Sequence, residues 1–392
     1  MSIYDEAKNA PNADRREALA KHAIKSESEK YRRAMISSAS SEPGIPLRPG
    51  DLDRDPWLLN CPNGTVDLRT GQLYPHRRTD LITKLAPAVY DPGGKCPIWE
   101  SFLNRIFNKN ADLIHFIQKS VGYSLTADIR EQSLFLLHGN GANGKTTFLE
   151  TIRKMLGEYA CTSDFNSFMI TRDGVRNDIA RLFGVRFSCA IEAPKDRQLN
   201  ESLVKSLTGG DTICARFLFK EFFDFTPIFK LWLETNHKPK IQGTNYAIWR
   251  RIRLIPFDVT IPPEEQDKTL LARLREESPG ILAWAMRGCL KWQAKGLNPP
   301  KEVITATSEY RIEQDPLSGF LADCCVIEPS GRETVGNLYT TYSKWCDEAD
   351  EELLSKIEFG KQLTDRGFKM KPMKNVRYRL GICLKVKDEM HP

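Results

Sequence analysis

At 392 residues the chain is longer than one ordinary domain, so we expect two or three domains. Its formal net charge of +6 is too small to indicate a nucleic-acid partner by itself. Whether the chain binds nucleic acid must therefore be judged from where its charges lie. No apolar run approaches the ~20 residues that span a bilayer, and the amino terminus lacks the apolar segment of a signal peptide. The sequence therefore predicts a cytoplasmic protein without a membrane partner.

The ten cysteines are scattered along the chain without a Cys-x-x-Cys pair. Cys189, Cys214 and Cys289 sit in apolar runs, which is typical of reduced packing residues rather than disulfides or zinc ligands. The adjacent Cys324 and Cys325 cannot easily bridge each other and are predicted to lie in a core.

The first part of the chain divides into two predicted segments. Residues 1–42 are highly charged and favour a helix, and the serines near their end predict a flexible linker. Residues 43–128 carry turn signals at Asn63-Gly64 and Thr70-Gly71 between short strands, and then helical spacing from Pro97 onward.

Three further segments follow. Residues 129–260 alternate apolar strands with helices, which is the pattern of a parallel α/β sheet. Residues 261–315 return to helices, with a start signal at Ser278 and a break at Pro299-Pro300. Residues 316–392 are predicted to form two helices and then two strands.

A complete G-x-x-x-x-G-K-[ST] pattern lies between an apolar strand at 133–137 and a helix-like run from 147. Its glycines let backbone N–H groups point at a polyphosphate, Lys145 can reach the β/γ oxygens, and the Thr146 hydroxyl can ligate Mg²⁺. A chance match is the alternative, but the strand–loop–helix setting argues against it. The predicted site for ATP and Mg²⁺ consists of Gly139, Asn140, Gly141, Ala142, Asn143, Gly144, Lys145, Thr146 and Thr147.

Two polar residues follow later apolar strands. Glu192 ends the run 186–191, where an acid can hold Mg²⁺ and polarise the attacking water. Asn236 follows the run 229–235, where an amide can orient that water against the γ-phosphate. A surface glutamate and a turn asparagine are the simpler alternatives. We predict that Lys145, Glu192 and Asn236 are catalytic, and that Thr146 and Glu192 bind the metal.

Together these elements and the segment KSLTGGD at 205–211 strongly resemble superfamily 3 helicases. The resemblance is to the helicase part of phage and plasmid primase–helicases related to the poxvirus primase-helicase. It extends to residues 229–239 and 247–257, and upstream to 60–91, which is similar to the family's pre-helicase region. It implies an α/β fold: a P-loop, AAA+-like parallel-sheet ATPase core, preceded by a helical and β region and followed by a winged-helix-like module.

One departure from the family pattern concerns the acids. Many such ATPases carry two acids in a row after this strand, but Glu192 is followed by Ala193, Pro194 and Lys195. Glu192 is left to serve both the metal and the water, with Asp196 as a nearby candidate. It is therefore open which acid holds the metal and which polarises the water, whereas the predicted nucleotide site is unaffected.

Arg250 and Arg251 lie at the start of a predicted strand at 252–257. Ring ATPases complete each site with an arginine from the neighbouring subunit, which contributes about 10³–10⁵ in rate. The resemblance places this function at one of these two arginines. Solvated charges at a strand edge are the alternative, and the sequence does not choose between the two residues, although we favour Arg250.

Residues 211–226 are predicted to form two β-like runs around a Phe-Lys-Glu tip. In the family, a hairpin at this place projects into the ring channel and grips single-stranded DNA, so Lys220 would contact phosphate and Phe219 a sugar or base. Lys205 and Arg216 are predicted to line the same channel or the subunit interface. The alternative is a core hairpin, and we expect most of its phenylalanines to be core: Phe217, Phe219, Phe222 and Phe223.

The hairpin predicted at 368–387 is basic and contains no acid. Two helices followed by a basic hairpin are typical of a winged helix, which presents a helix to a groove and a wing to the backbone. A solvated basic hairpin on an accessory domain is the alternative. The basic residues are Lys369, Lys371, Lys374, Arg377, Arg379, Lys385 and Lys387, of which Lys371, Lys374 and Arg377 are our candidate DNA contacts.

The resemblance implies an ATP-dependent DNA helicase that acts as a hexameric ring on single-stranded DNA, 3′ to 5′, at forked or origin duplex DNA. Replication of a phage, plasmid or other mobile element in the bacterial cytoplasm is the expected setting. One alternative is a ring ATPase that melts or marks an origin without processive unwinding. Another is a P-loop kinase, which the arginine pair, the hairpin and the basic tail argue against. No acid cluster for primer synthesis precedes residue 100, so we expect a primase or polymerase as a separate chain or a missing upstream domain.

Overall fold

The computed structural model describes residues 2–170, 177–191, 197–241, 246–373 and 376–385. Three predicted functional residues, Glu192, Asp196 and Lys374, lie outside the described residues. The chain divides into two compact units, Met1–Arg54 with Arg78–Thr83 and Asp55–Arg77 with Lys84–Pro392.

The first unit contains three helices, α1 (Ile3–Lys8), α2 (Ala13–Ser26) and α3 (Glu29–Ala39). Asn12 begins α2 by accepting a hydrogen bond from the backbone N–H of Arg15 at 2.9 Å, which satisfies one of the free donors of the first turn. Ser37 and Ser38 lie inside α3, so the predicted linker was wrong at this point. Serine costs a helix only a few tenths of a kcal/mol, roughly, so a serine-rich sequence does not by itself end one.

The second unit begins with a three-stranded antiparallel sheet and two helices: β1 (Leu58–Cys61), β2 (Gly64–Asp67), β3 (Gln72–Tyr74), α4 (Pro97–Ile106) and α5 (Ala111–Leu125). The predicted turn signals at Asn63-Gly64 and Thr70-Gly71 are confirmed, since they separate β1 from β2 and β2 from β3. Gly64 has φ of +151°, and a Cβ there would lie 2.4 Å from the Tyr74 carbonyl oxygen, so only glycine fits.

The next elements are β4 (Leu134–His138), α6 (Lys145–Leu156), β5 (Ala160–Asp164), α7 (Asn177–Ala180), β6 (Phe187–Ile191), α8 (Glu201–Gly209), β7 (Ile213–Ala215), β8 (Phe223–Phe225), β9 (Lys230–Thr235), α9 (Tyr246–Trp249) and β10 (Ile252–Pro256). Five of the strands form a parallel sheet in the order β10-β4-β9-β6-β5, and β7 pairs only with β8. The α/β fold class is therefore confirmed. Strands β4, β6 and β9 are buried along almost their whole length, as a parallel sheet covered on both faces requires.

Three helices follow the sheet, α10 (Leu270–Glu276), α11 (Ser278–Lys295) and α12 (Lys301–Glu313). Their bounds confirm the predicted start at Ser278 and the predicted break at Pro299-Pro300. Helix α11 packs closely on α5: a Cβ on Gly122 would lie 2.1 Å from the Cys289 backbone nitrogen. Glycine at position 122 allows the backbones of α5 and α11 to approach each other closely where the two helices cross.

Two buried cations join the antiparallel sheet and α5 to the amino edge of the parallel sheet. Arg186, just before β6, donates to the carbonyl oxygens of Leu58 and Leu125, each at 2.8 Å. Lys230, the first residue of β9, donates to the carbonyl oxygens of Thr126 and Asp128. Burial lowers the pKa of the Lys230 ammonium well below its ordinary value.

The last part of the chain consists of α13 (Ser318–Cys324), β11 (Cys325–Thr334), α14 (Val335–Ala349), α15 (Lys356–Asp365), β12 (Met370–Met373) and β13 (Val376–Leu384). The three strands form an antiparallel sheet in the order β11-β13-β12. The predicted pair of helices and the hairpin are confirmed, and with α13 and β11 they form a winged-helix-like module. The sequence missed β11 because its polar residues, Pro329 and Gly331 hide the strand pattern, and its pairing with β13 shifts register there.

Two expectations about side chains were wrong. Arg379 does not belong to a basic surface: it is buried and donates to the carbonyl oxygens of Gly360 and Phe368. Cys214 is exposed on β7, whereas Cys189 and Cys289 are buried as predicted, and burial raises the pKa of each of these two thiols to about 12. Cys324 and Cys325 are also buried, as predicted. Within the described ranges, no helix is both long enough and apolar enough to cross a membrane.

Candidate functional site

The glycine-rich loop lies at the carboxyl edge of the parallel sheet, between β4 and α6. A Cβ on Gly139 would lie 2.3 Å from the carbonyl oxygen of Phe257, which follows β10. A Cβ on Gly144 would lie 2.8 Å from a methyl carbon of Ile106 in α4, and Gly144 has φ of +84°. Both positions therefore require glycine. The Ala142 carbonyl also accepts from the backbone N–H of Ile261 at 2.7 Å, which fixes the loop against the chain that follows the sheet.

Lys145 is buried at the first turn of α6 and faces the loop. Its ammonium donates to the Gly139 carbonyl at 2.8 Å, to Asn143 Oδ1 at 2.9 Å and to Asn236 Oδ1 at 3.0 Å. Burial lowers the pKa of Lys145, and the charge of Glu234 opposes that shift. The structure thus brings together Lys145 and Asn236, which are 91 positions apart in the sequence.

Glu234 was not among the predicted site residues, yet it contacts Thr146, the predicted metal ligand of the loop. The Thr146 hydroxyl donates to Glu234 Oε1 at 2.7 Å, and Glu234 is only 8% exposed. The parallel register places Glu234 beside Leu137 of β4 and Ile191 of β6. A signal was present, since this is an acid one residue from the end of a strand that is buried throughout.

A polar cavity of about 320 Å³ opens between the loop and the end of β9. Its wall carries the donors that bind an anion, namely loop N–H groups and the Lys145 ammonium, beside the oxygens that suit a hard cation, on Thr146 and Glu234. A second cavity of about 880 Å³ shares Ala142, Gly144 and Thr147 with the first and continues between α4 and α10. This arrangement suits a ligand with a compact anionic part and a larger second part.

The two candidate arginines have different surroundings. Arg251 is buried and donates through Nε to Thr208 Oγ1 at 3.1 Å and through Nη1 to the Ala247 carbonyl. Arg250 is exposed, and its guanidinium donates to Gln132 Oε1. Both precede β10, whose first residue pairs with the first residue of β4, so they lie at the amino edge of the sheet, opposite the loop.

The predicted hairpin is present as β7 and β8, and its tip, residues 217–222, is exposed and carries apolar and charged side chains. The expectation that most of its phenylalanines are core was wrong: Phe217, Phe219 and Phe222 are exposed, Phe219 by 94%, and Phe223 is half-buried. Lys220 is also exposed. A two-stranded ribbon with three residues per strand has too little core to cover four aromatic rings.

The remaining candidate DNA contacts are dispersed. Lys205 forms an ion pair of 3.6 Å with Glu201 one turn earlier on α8. The Arg216 guanidinium lies 4.8 Å from the centre of the Phe222 ring, at the base of the hairpin. Lys371 on β12 and Arg377 on β13 are exposed on the winged-helix-like module.

Fold and site together define a class of protein, a parallel α/β core with a glycine-rich loop that opens a helix at the carboxyl edge of its sheet. Residues 2–108 match the family model described as "D5 N terminal like", and residues 137–251 match "Family of unknown function (DUF5906)". The apo C-terminal region of NrS-1 superimposes with a TM-score of 0.47 at 11% identity, over 76% of this chain and 78% of that one.

Curated relatives come from large DNA viruses. The chain is 27% identical to "Putative helicase L207/L206" of Acanthamoeba polyphaga mimivirus, over 75% of this chain and 33% of that protein. It is 29% identical to "Putative helicase 022R" of Frog virus 3, over 53% of this chain and 23% of that protein. It is 25% identical to "Putative primase C962R" of African swine fever virus, over 75% and 34%. The chain thus spans only 23–34% of the length of these relatives, and the matches confirm its resemblance to primase–helicases.

Proposed function

We propose that this chain is the motor part of an ATP-dependent DNA helicase of superfamily 3 that acts in DNA replication. The observation that carries the proposal is the contact of Lys145 and Thr146 with Asn236 and Glu234 at the carboxyl edge of a five-stranded parallel sheet. The names of the viral relatives support a replication role, although the matched region covers only 23–34% of each relative.

The nucleotide would bind across the two adjoining cavities. Its phosphates would accept hydrogen bonds from the loop N–H groups and Lys145 at the N-terminus of α6. Its nucleoside would occupy the larger cavity, beside the ion pair of Arg105 and Glu265 at 2.6 Å. The bound Mg²⁺ would neutralise phosphate charge. Thr146 and Glu192 would hold it, Asn236 would orient the attacking water, and Glu192 would also polarise that water.

Arg250 would act on the site of a neighbouring subunit. The glycine-rich loop of the same subunit follows the opposite end of β4. The five residues of β4 span four steps of about 3.3 Å, so the two ends of the strand are roughly 13 Å apart. An exposed guanidinium at the opposite edge of the sheet suits a contact between subunits better than the buried Arg251. This favours a closed ring, and we propose a hexamer.

The hairpin would grip single-stranded DNA in the channel of that ring. An exposed ring at Phe219 offers a surface for a base or sugar, and Lys220 beside it offers a charge for phosphate. Because aromatic stacking and phosphate contact are insensitive to sequence, this pair suits translocation along any strand.

Strand displacement on forked DNA tests the proposal. The chain with ATP and Mg²⁺ should separate a fork with a 3′ tail, and its ATP hydrolysis should rise with single-stranded DNA. The winged-helix-like module favours the second candidate, an origin-melting ATPase, which would hydrolyse ATP without displacing strands. Absence of ATP hydrolysis in the presence of DNA would contradict both, and phosphoryl transfer to a small acceptor would favour a kinase.

A further inference from the structure

Glu234 is an acid in a place where an acid is costly. It lies in β9 between the apolar strands β4 and β6 and is only 8% exposed. Burying a carboxylate costs several kcal/mol, roughly, unless charge or hydrogen bonds compensate it. Its contacts point to one use: the carboxylate accepts from the Thr146 hydroxyl at 2.7 Å, and its charge acts on Lys145.

The direction of that hydrogen bond matters for metal binding. A threonine hydroxyl carries one proton and two lone pairs, and an ionised glutamate can only accept. When the Thr146 hydroxyl donates a hydrogen bond to Glu234, the lone pairs of the Thr146 oxygen remain available to the cavity between the loop and β9. Lone pairs of oxygen are what a hard cation such as Mg²⁺ requires, and partners behind a ligand commonly fix its orientation.

We propose that Glu234 is the metal-positioning acid of this site. It orients the Thr146 hydroxyl and adds negative charge behind the metal. The inference rests on the proposed nucleotide site and deepens it. It also answers the open division of labour, because the segment after β6 carries Glu192 without a second adjacent acid. If Glu234 positions the metal ligand, Glu192 is available to polarise the attacking water.

The test compares nucleotide affinity with and without metal. A fluorescent ATP analogue is titrated into the full chain in Mg²⁺ and again in EDTA, for the wild type, Glu234→Gln and Glu234→Ala. The matched control is Glu150→Gln, since Glu150 lies on α6 in an ion pair of 2.7 Å with Arg153 and does not line either cavity. Thermal unfolding of each variant reports folding.

Glu234→Gln should lose part of the affinity gained from Mg²⁺, because the charge behind the metal is gone while its amide oxygen can still accept from Thr146. Glu234→Ala should lose about tenfold or more of that gain, the usual effect of removing a partner behind a metal ligand. The metal-free affinity of Glu234→Gln should stay equal or rise, because a negative charge near the phosphates is gone. Glu150→Gln should keep the full gain. A Thr146→Val change made in the Glu234→Ala background should cost little more, since the hydroxyl has already lost the partner that orients it.

Two results would overturn the inference: a full Mg²⁺ gain in folded Glu234→Gln, or an equal loss with and without metal, which would indicate a merely structural role. If Glu234→Ala fails to fold, the isosteric glutamine variant carries the test. Failure of the proposed function looks different, because then the wild type itself would not bind the analogue in either buffer.

Discussion

Replacing Arg251 by alanine should destabilise the protein, whereas replacing Arg250 should leave the fold intact. The buried Arg251 donates two hydrogen bonds, to Thr208 and to the Ala247 carbonyl. A hydrogen bond from a charged group contributes about 1.5–3 kcal/mol, so the loss of both should lower the free energy of unfolding by about 3 kcal/mol or more. The exposed Arg250 should change it by less than about 0.5 kcal/mol.

Urea unfolding followed by intrinsic fluorescence measures this difference, and ATP hydrolysis is measured on the same samples. Arg250→Ala should unfold like the wild type and yet hydrolyse no ATP. Mixed with Lys145→Ala, it should regain part of the activity, because a mixed interface can combine an intact loop with an intact arginine. Equal unfolding midpoints for the two arginine variants would refute the structural argument. Mixtures that never regain activity would place the arginine's action within one subunit.

Lys145→Ala should abolish ATP hydrolysis because the phosphates lose their main counter-charge; normal turnover would contradict the loop assignment. Glu192→Gln should bind ATP tightly and not hydrolyse it, and wild-type turnover would transfer the role to another acid. Lys220→Ala should keep basal hydrolysis and lose its stimulation by single-stranded DNA; a fork-unwinding assay that shows normal rates would exclude the channel contact. Lys371→Glu with Arg377→Glu should weaken duplex binding and flatten the dependence of log affinity on log salt, and an unchanged slope would mean a merely solvated surface.

The loop was predictable because its information is local. The glycines, Lys145 and Thr146 sit in eight consecutive positions, and the flanking strand and helix have distinct periodicities. The contact of Thr146 with Glu234 was not predictable from the sequence, because it depends on the register between two strands that are far apart in the chain. An acid inside an apolar run was visible, but only strand order reveals that β9 is the neighbour of β4.

The wrong expectations about side-chain burial share one origin, the assumption that apolar residues are buried and charged ones exposed. Phe219 is apolar and almost fully exposed, because the short ribbon around it provides nothing to pack on. Arg379 is charged and buried, because nearby carbonyl oxygens accept hydrogen bonds from its Nη1 and Nη2. Burial of single residues depends on tertiary neighbours, which composition and spacing do not reveal.

The buried cations Arg186 and Lys230 limit how this protein can be divided or recombined. A core cut at residue 129 would leave both without the carbonyl oxygens of the preceding segment, at a cost of several kcal/mol per ion, a large part of the roughly 5–15 kcal/mol that holds a domain folded. Because the acceptors are backbone carbonyls, these hydrogen bonds depend on the path of that segment and not on the identity of its side chains. Exchange of the parallel sheet between relatives must therefore carry β1 and α5 with it, as one inherited piece.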